Sequence, residues 1–259
     1  MKEQQNLSLE ETQSILFDIM KDIDRFCRSN GIRYSLSDGT MLGAVRHGGF
    51  IPWDDDADIC MPREDFDKFA ATYKSDKYHL LLNTHTKDEV FFYGFIKIND
   101  PTTNGAPTHK NIAKHGVTVD IFPLEPVPED KKERAKFTHR IVSLHNRLYH
   151  RHKKDPLSII KSYRHSINGW WNMIEKVIHE GKYTDSPLLC QVLGKPMVEV
   201  LLRKERFDDL VDITFNGHKF LGFRDTHSYL EMLFGPDYMT PKKWSHNYTI
   251  QKKDGVGED

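Results

Sequence analysis

The sequence predicts an α/β (α+β) fold, in which a mixed sheet with flanking helices precedes a mostly helical C-terminal part. In the first half of the chain, apolar residues first recur at helical spacing and then alternate with polar ones in short segments. Beyond the Pro-rich turn Pro123–Pro128, the pattern is helical and rich in Lys, Arg and His to about residue 180. We therefore predict an α/β core at residues 1–128 and a C-terminal part at residues 129–259 that packs on it.

The first predicted element is an amphipathic helix. Ser8 and Glu11 have the spacing of a capping box, in which each side chain accepts a hydrogen bond from the other residue's backbone N–H. Gly31 suits the C-cap, because glycine adopts the left-handed conformation without steric cost. The apolar positions between them recur every three to four residues, at Ile15, Ile19, Ile23 and Phe26.

Shorter elements follow in the rest of the core. A second helix is expected at Thr40–Arg46, ending at the glycines after His47, and Pro62 suits the first residue of a third helix. Alternating or β-rich segments predict strands at Ile32–Leu36, Asp56–Met61, His79–Leu82, Phe91–Ile98 and Val117–Phe122.

Charge and cysteine content narrow the class of protein. The 37 Lys and Arg residues nearly balance the 38 Asp and Glu residues, so the net charge of -1 provides no general attraction to nucleic acid. Three widely spaced cysteines without a C-x-x-C pair suit free thiols in a reducing compartment. The first residues are polar, and no apolar run approaches the roughly 18 residues of a membrane span. We expect a cytoplasmic protein without a transmembrane span, and peripheral contact with the inner face of the membrane is left open.

The strongest chemical signal is an acidic segment. On a strand, Asp54, Asp56 and Asp58 would share one face, where like charges repel unless a cation neutralises them. Carboxylate oxygens prefer hard cations such as Mg²⁺ or Mn²⁺. Asp120 stands between two apolar neighbours on a later predicted strand, and we expect it on the face of the first acids. The pattern predicts a metal site.

Two other interpretations compete for the acidic segment. An acidic run is usually a solvated loop, but here Trp53 precedes it and strong β-formers follow it. The acids also fall at the first, third and fifth positions of a calcium loop, which requires Gly at its sixth position and Glu at its twelfth. Ile59 and Asp65 stand at those positions, so the calcium-loop interpretation fails.

A turn suited to phosphate lies upstream of the acids. Gly39 and Thr40 join a predicted strand to a helix; glycine lets backbone N–H groups approach an anion, and the helix N-terminus adds positive potential. A Gly-Thr turn alone is a weak signal, but here it precedes the acidic strand. A phosphate cradle, paired acids on the next strand and a further acid are what metal-assisted phosphoryl transfer needs.

These residues belong to a longer pattern with a known counterpart. The segment Asp38–Ile59, DGTMLGAVRHGGFIPWDDDADI, closely resembles the signature of the LicD family. Phe95–Ile98 (FIKI) and Val119–Leu124 (VDIFPL) resemble the later motifs of that family in the same order, and Phe234–Met239 (FGPDYM) resembles its C-terminal motif. Residues 129–215 carry no matching motif.

The resemblance implies a nucleotidyltransferase-type fold and a transferase activity. Family members of this kind move a phospho-base such as phosphocholine from a CDP-linked donor, here CDP-choline by preference, to a cell-surface glycan or its lipid-linked precursor. CMP is the expected product, and lipopolysaccharide or teichoic acid synthesis is the expected setting.

The resemblance also implies roles for particular residues. Asp56, Asp58 and Asp120 become the metal-binding and catalytic carboxylates, with Asp54 as an additional ligand. Gly39 and Thr40 become the phosphate-binding turn. Asp58 and Asp120 are both candidates for the general base, and the sequence does not choose between them.

Other candidates are weaker. Arg46 and Lys97 are cations inside the matching motifs that suit the donor diphosphate, with structural pairing as an equal alternative; for His47 the structural role is favoured. The His- and Arg-rich region 139–152 suits an anionic glycan or a lipid phosphate, but a solvated helix face is the simpler interpretation. A choline cation calls for an aromatic cage. Available aromatic residues are Trp53, Tyr93, Trp244 and Tyr248.

Two other functions are alternatives to phospho-base transfer. One is nucleotidyl transfer from a nucleoside triphosphate within the same fold, with pyrophosphate leaving. The other is a catalytically silent glycan-binding protein, against which the intact acids argue.

Overall fold

The computed structural model describes residues 6–82, 94–105, 115–154, 172–178, 182–194, 196–241 and 250–252. The helices are α1 (Leu9–Asn30), α2 (Asp38–His47), α3 (Arg63–Thr72), α4 (Lys131–Lys154), α5 (172–178) and α6 (Thr226–Phe234). The strands are β1 (Ser35–Leu36), β2 (Ala57–Pro62), β3 (His79–Leu81), β4 (Ile96–Asn99), β5 (Thr103–Gly105), β6 (Thr118–Pro126), β7 (Leu188–Cys190), β8 (Leu202–Arg203), β9 (Leu210–Phe215), β10 (His218–Phe223) and β11 (Ile250–Lys252).

The main sheet is mixed and has β6 at its centre. Its strands follow the order β1-β2-β6-β4-β3, and β7 and β8 extend it from the far end of β6. Only β2 and β6 pair in parallel within this sheet as described; the other pairs are antiparallel. The predicted α/β class, with a mixed sheet and flanking helices, is confirmed.

The first helix forms as predicted. Ser8 Oγ accepts from the Glu11 N–H at 3.1 Å, and Glu11 Oε2 accepts from the Ser8 N–H at 2.8 Å, which completes the capping box. Gly31 closes the helix in the left-handed conformation at φ 59°. A cap of this kind stabilises a helix by about 1 kcal/mol, so the sequence determines both ends of α1 locally.

Several strands differ in extent from the prediction. β1 is limited to two residues of the predicted Ile32–Leu36, and β6 runs beyond the predicted end at Phe122 to Pro126. Pairing sets these limits, because β1 bonds only to Ile59 and Cys60 of β2, whereas the far end of β6 finds a partner in β7. Residues 91–93 of the predicted strand Phe91–Ile98 lie outside the described residues.

The C-terminal part contains strands as well as helices. The predicted turn at Pro123–Pro128 is wrong for its first four residues, because Pro123–Pro126 belong to β6. α4 begins after this Pro-rich segment, as the pattern predicts, but β9 and β10 form a hairpin that we did not predict from the sequence. Its two-residue turn is Asn216-Gly217, with φ values of 46° and 78°. An Asn-Gly pair between alternating segments is a strong hairpin signal, because both residues tolerate positive φ.

That hairpin is part of the main hydrophobic core. Phe215, Phe220 and Phe223 are buried in the same cluster as Leu16 and Ile19 of α1. Burying one such side chain contributes about 1.5–3 kcal/mol, so the C-terminal strands stabilise the domain that carries the sheet. A second cluster joins α4 and α5 to the region of β7 through Ile141, Ile174 and Val192. Within the described ranges, no helix is both long enough and apolar enough to cross a membrane.

Candidate active site

Three neighbouring strands carry two acids and a cation in one row. β2 and β6 run parallel with Asp58 opposite Asp120, and β4 pairs antiparallel with β6, placing Lys97 opposite Asp120. Opposed residues on adjacent strands point to the same face, and the strands lie about 4.8 Å apart. The register therefore brings Asp58, Asp120 and Lys97 together from separate parts of the sequence.

Asp54 and Asp56 lie in the loop that leads into β2. The sequence placed them on the strand with Asp58, and for these two acids that prediction is wrong, because pairing with β6 begins only at Ala57. The loop is held in place by Gln13, whose Nε2 donates to the Asp54 carbonyl at 2.8 Å, and by the Asp54 N–H, which donates to the Ile51 carbonyl at 2.9 Å.

Burial and mutual repulsion oppose ionisation of these carboxyl groups. Burial raises the pKa of Asp54 to about 8, helped by the charge and the hydrogen bond of Asp56. Burial also raises the pKa of Asp58 well above its ordinary value. The charges that add to this effect belong to Asp56, Asp38, Asp120 and Asp54. The site thus gathers an excess of negative charge that a cation would stabilise.

Lys97 is the cation that contacts the acid row. Its Nζ donates to both carboxylate oxygens of Asp120, to Oδ2 at 2.6 Å, and lies 3.4 Å from Thr118 Oγ1. Burial raises the pKa of Asp120, whereas Lys97 lowers it and offsets part of the shift. From the sequence, Lys97 suited either the donor diphosphate or a structural pairing. The structure shows a pairing with Asp120, and contact with the donor stays a prediction.

The carboxylate oxygens at this site suit a hard divalent cation chemically. Asp58 and Asp120 present oxygen ligands from adjacent strands, with Asp56 just before β2, and their repulsion is of the kind that a bound cation relieves. As placed, the described residues include no group of three His, Cys, Asp or Glu side chains ready to hold a metal ion. Lys97 donates hydrogen bonds to both carboxylate oxygens of Asp120. A Mg²⁺ or Mn²⁺ site at these acids stays a prediction.

The predicted phosphate turn adjoins the acids. Thr40 Oγ1 accepts from the Asp58 N–H at 2.8 Å, and the Ser37 N–H donates to the Asp58 carbonyl at 3.1 Å. A Cβ atom on Gly39 would lie 3.0 Å from Asp54 Oδ2, so glycine permits the close approach of turn and acid. The N-terminus of α2 therefore stands directly beside the acidic loop and β2.

The C-terminal part supports this turn through Tyr229, a residue that was not among the candidates from the sequence. The Asp38 N–H donates to the hydroxyl of Tyr229 on α6 at 3.3 Å, and Asp38 itself has a positive φ of 46°. Tyr229 is buried, and burial followed by the charge of Asp38 raises its pKa well above the ordinary value. No local signal marks Tyr229, because it looks like one more large residue on the inner face of a short helix.

Arg46 lies away from the acids, at the other end of α2. Along the helix axis it is about 10 Å from Gly39. Its Nη1 donates to the carbonyl of Tyr238 at 2.9 Å, and its Nε contacts His47 Nε2 at 2.9 Å. The structure shows Arg46 joining α2 to the C-terminal motif, and its assignment to the donor stays a prediction.

The remaining candidates are only partly described. His145 is buried in α4, whereas His139 and Arg140 are exposed, so region 139–152 does not present these side chains as one surface. Trp53 packs edge-on against His47, with ring centroids 6.4 Å apart. The proposed cage residues Tyr93, Trp244 and Tyr248 lie outside the described residues.

Fold and site together define a class of protein. A mixed sheet with acids on adjacent central strands, beside a strand-to-helix turn suited to phosphate, is the arrangement expected of a nucleotidyltransferase-type domain. The profile of the LicD/FKTN/FKRP nucleotidyltransferase domain matches residues 31–165, just over half of the chain. The chain belongs to this family, as its motifs indicated.

Curated relatives place the family among phospho-alcohol transferases. The lipopolysaccharide cholinephosphotransferase LicD of Haemophilus influenzae is 26% identical over 254 residues, covering 90% of this chain and 92% of that protein. The ribitol 5-phosphate transferase FKRP of Homo sapiens is 54% identical over 35 residues, 14% of this chain and 7% of that protein. An uncharacterized protein of Rickettsia prowazekii is 50% identical over 50 residues, 19% of each chain.

Proposed function

We propose that this protein is a metal-dependent phosphotransferase that moves a phospho-alcohol from a CDP-linked donor to a glycan hydroxyl and releases CMP. The observation that carries the proposal is the row of Asp58, Asp120 and Lys97 beside the Gly39 turn. CDP-choline is the favoured donor, because the relative that is similar over most of the chain is a cholinephosphotransferase.

The reaction is an in-line displacement at phosphorus. The oxygen of the acceptor hydroxyl forms a bond to the β-phosphorus of the donor, which carries the alcohol. The bond from that phosphorus to the bridging oxygen breaks, and CMP leaves with the oxygen. The hydroxyl proton passes to a carboxylate, for which Asp58 and Asp120 are the candidates because both stand in the row.

The protein's own groups bind and orient the donor. Asp56, Asp58 and Asp120 would hold Mg²⁺ or Mn²⁺, with Asp54 beside them. A divalent cation bound there would supply neutralising charge to the diphosphate. The backbone N–H groups at the start of α2, near Gly39, suit a phosphate oxygen.

The acceptor and the place of reaction belong to the same proposal. A cell-surface glycan or its lipid-linked precursor is the expected acceptor, made at the inner face of the membrane by a cytoplasmic enzyme in peripheral contact. Cys27, Cys60 and Cys190 are buried free thiols, which agrees with a reducing compartment. Nucleic acid has no part in the reaction.

Nucleotidyl transfer is the second candidate, because it would use the same acids. The two reactions differ in which phosphorus is attacked, so their products differ. Phospho-alcohol transfer adds the phosphate with its alcohol to the glycan and no cytidine. Nucleotidyl transfer adds the nucleotide to the acceptor, with pyrophosphate leaving when a triphosphate is the donor.

Product analysis tests the proposal. A glycan acceptor is incubated with enzyme, Mg²⁺ and CDP-choline, and both products are identified by mass spectrometry. Parallel incubations replace CDP-choline with another donor: CDP-ethanolamine, CDP-ribitol, CDP-glycerol or ATP. We expect a glycan carrying phosphocholine together with CMP. A glycan that carries cytidine, or turnover only with a nucleoside triphosphate, establishes the second candidate instead. A protein that binds glycan but turns over no donor is the silent alternative.

A further inference from the structure

The contact between Lys97 and Asp120 bears on how the site takes up a metal ion. We propose that Lys97 is a built-in counter-ion that competes with a divalent metal for Asp120, and that binding of the donor diphosphate relieves this competition. The inference rests on the proposed function, since it assigns Lys97 a role toward the metal of that site.

Lys97 and Asp120 are in direct contact. Lys97 Nζ donates to both oxygens of Asp120, and the two side chains are only 13% and 17% exposed. Hydrogen bonds between two ionised groups are short and strong, and here they use the carboxylate oxygens that a metal would need. A cation that binds Asp120 therefore competes with Lys97 for these oxygens.

Lys97 also brings a positive charge to a group of acids. Lys97 pairs with Asp120 through its ammonium group, so it already supplies part of the positive charge that a metal would provide. Replacing Lys97 with a neutral side chain leaves Asp120 repelling its neighbours without that compensation. The affinity of the site for a divalent cation should then increase.

The donor diphosphate would provide Lys97 with another partner. Asp58 bonds to Thr40 of the phosphate turn through its N–H and stands opposite Asp120, so the acid pair lies between that turn and Lys97. A diphosphate bound at the turn and at the acids would offer Lys97 a second anion. Lysine is a compact charge on a flexible stem and can change partner without a change of fold.

If Lys97 exchanges Asp120 for the diphosphate, the binding of metal and the binding of diphosphate should be coupled. If the donor diphosphate draws Lys97 away from Asp120, it raises the affinity for metal, and by reciprocity metal raises the affinity for the diphosphate. Part of that coupling should be lost when residue 97 carries no charge. Lys97 would thus hold metal affinity low until the donor arrives.

The test measures Mn²⁺ binding to the full chain from the electron paramagnetic resonance signal of free Mn²⁺, without turnover. Lys97→Met should bind Mn²⁺ about tenfold more tightly than the wild type, within the usual range of site-to-site coupling. Lys97→Arg, which keeps the positive charge, should bind no more tightly than the wild type. Lys21→Met removes the same charge from an exposed pair with Asp18 and should leave the affinity unchanged.

A second arm adds CDP. The diphosphate should tighten Mn²⁺ binding by a larger factor in the wild type than in Lys97→Met. Circular dichroism checks that each variant is folded, and Lys97→Gln replaces the Met variant if that one does not fold.

The outcomes separate the inference from the proposed function. Mn²⁺ binding by the wild type, with equal or weaker binding by the neutral variants, overturns the role of Lys97 and leaves the metal site standing. An equal effect of CDP on the wild type and on the neutral variants also overturns it. If neither the wild type nor any variant binds Mn²⁺, with or without CDP, both the metal of the proposed function and this inference are lost.

Discussion

The hydroxyl of Tyr229 accepts a hydrogen bond from the backbone N–H of Asp38, at 3.3 Å. Asp38 has a positive φ, which costs a non-glycine residue about 1–2 kcal/mol. Such strain persists only where the surroundings hold the residue in place. Helix α6, far along the chain, therefore holds Asp38, the residue that precedes the Gly39-Thr40 turn beside the acids.

Tyr229→Phe should loosen this turn while the ring stays packed. The Asp38 N–H would lose its partner at a cost of about 1–3 kcal/mol. We expect the melting temperature to fall by several degrees and the donor KM to rise severalfold, measured by thermal denaturation and initial rates. Tyr73→Phe is the matched control, because that hydroxyl donates to Asp22 at 2.8 Å and does not contact the turn. An unchanged donor KM in Tyr229→Phe would show that the contact is structural only.

Asp58→Asn and Asp120→Asn should both abolish CMP release but change stability in opposite directions. Asp58 is surrounded by acids, so neutralising it removes repulsion and should raise the melting temperature of the metal-free protein. Asp120 is the partner of Lys97, so neutralising it removes a largely buried ion pair and should lower the melting temperature. Melting curves and CMP assays of the same samples decide this. Wild-type turnover in either variant would remove that acid from the catalytic site.

Metal removal should abolish donor binding. The excess of carboxylates at the site repels a diphosphate unless a divalent cation lies between them. Titration calorimetry with CDP-choline should show binding with Mg²⁺ or Mn²⁺ and none after EDTA, and excess Mg²⁺ should restore it. Equal affinity in the presence and absence of EDTA would contradict a metal site at these acids.

A buried ion pair should dominate the stability of the far end of β6. Arg63 Nε donates to Glu125 Oε2 at 2.9 Å, and Glu125 is fully buried. Glu125→Ala leaves a buried guanidinium without its main partner and should lower the free energy of unfolding by about 3–5 kcal/mol. Asp67→Ala, which removes the exposed partner of the same arginine, should cost less than about 1 kcal/mol.

Urea denaturation measures both effects. The double variant Arg63→Met with Glu125→Leu should recover most of the lost stability, because it removes both charges together. If the double variant is as unstable as Glu125→Ala, the loss comes from packing around residue 125 rather than from the unpaired charge.

Local chemistry was predictable from the sequence by itself. The capping box of Ser8 and Glu11, the C-cap at Gly31, the acids and the phosphate turn all depend on residues close together in the chain. The acids and the phosphate turn also carry the family resemblance, which implied a nucleotidyltransferase-type fold, whereas the α/β class followed from the periodicity of apolar residues. The Asn216-Gly217 hairpin also depends on neighbouring residues, so it could have been predicted from the sequence in the same way.

Only the tertiary structure decided which of these residues meet. Strand register places Lys97 and Asp58 on either side of Asp120, and the long-range packing of α6 brings Tyr229 to Asp38. Pairing with β6 starts β2 at Ala57, so Asp54 and Asp56 precede the strand despite their alternating pattern. The physical reason is that periodicity reports which face a residue occupies, whereas its partner depends on register and packing between segments distant in sequence.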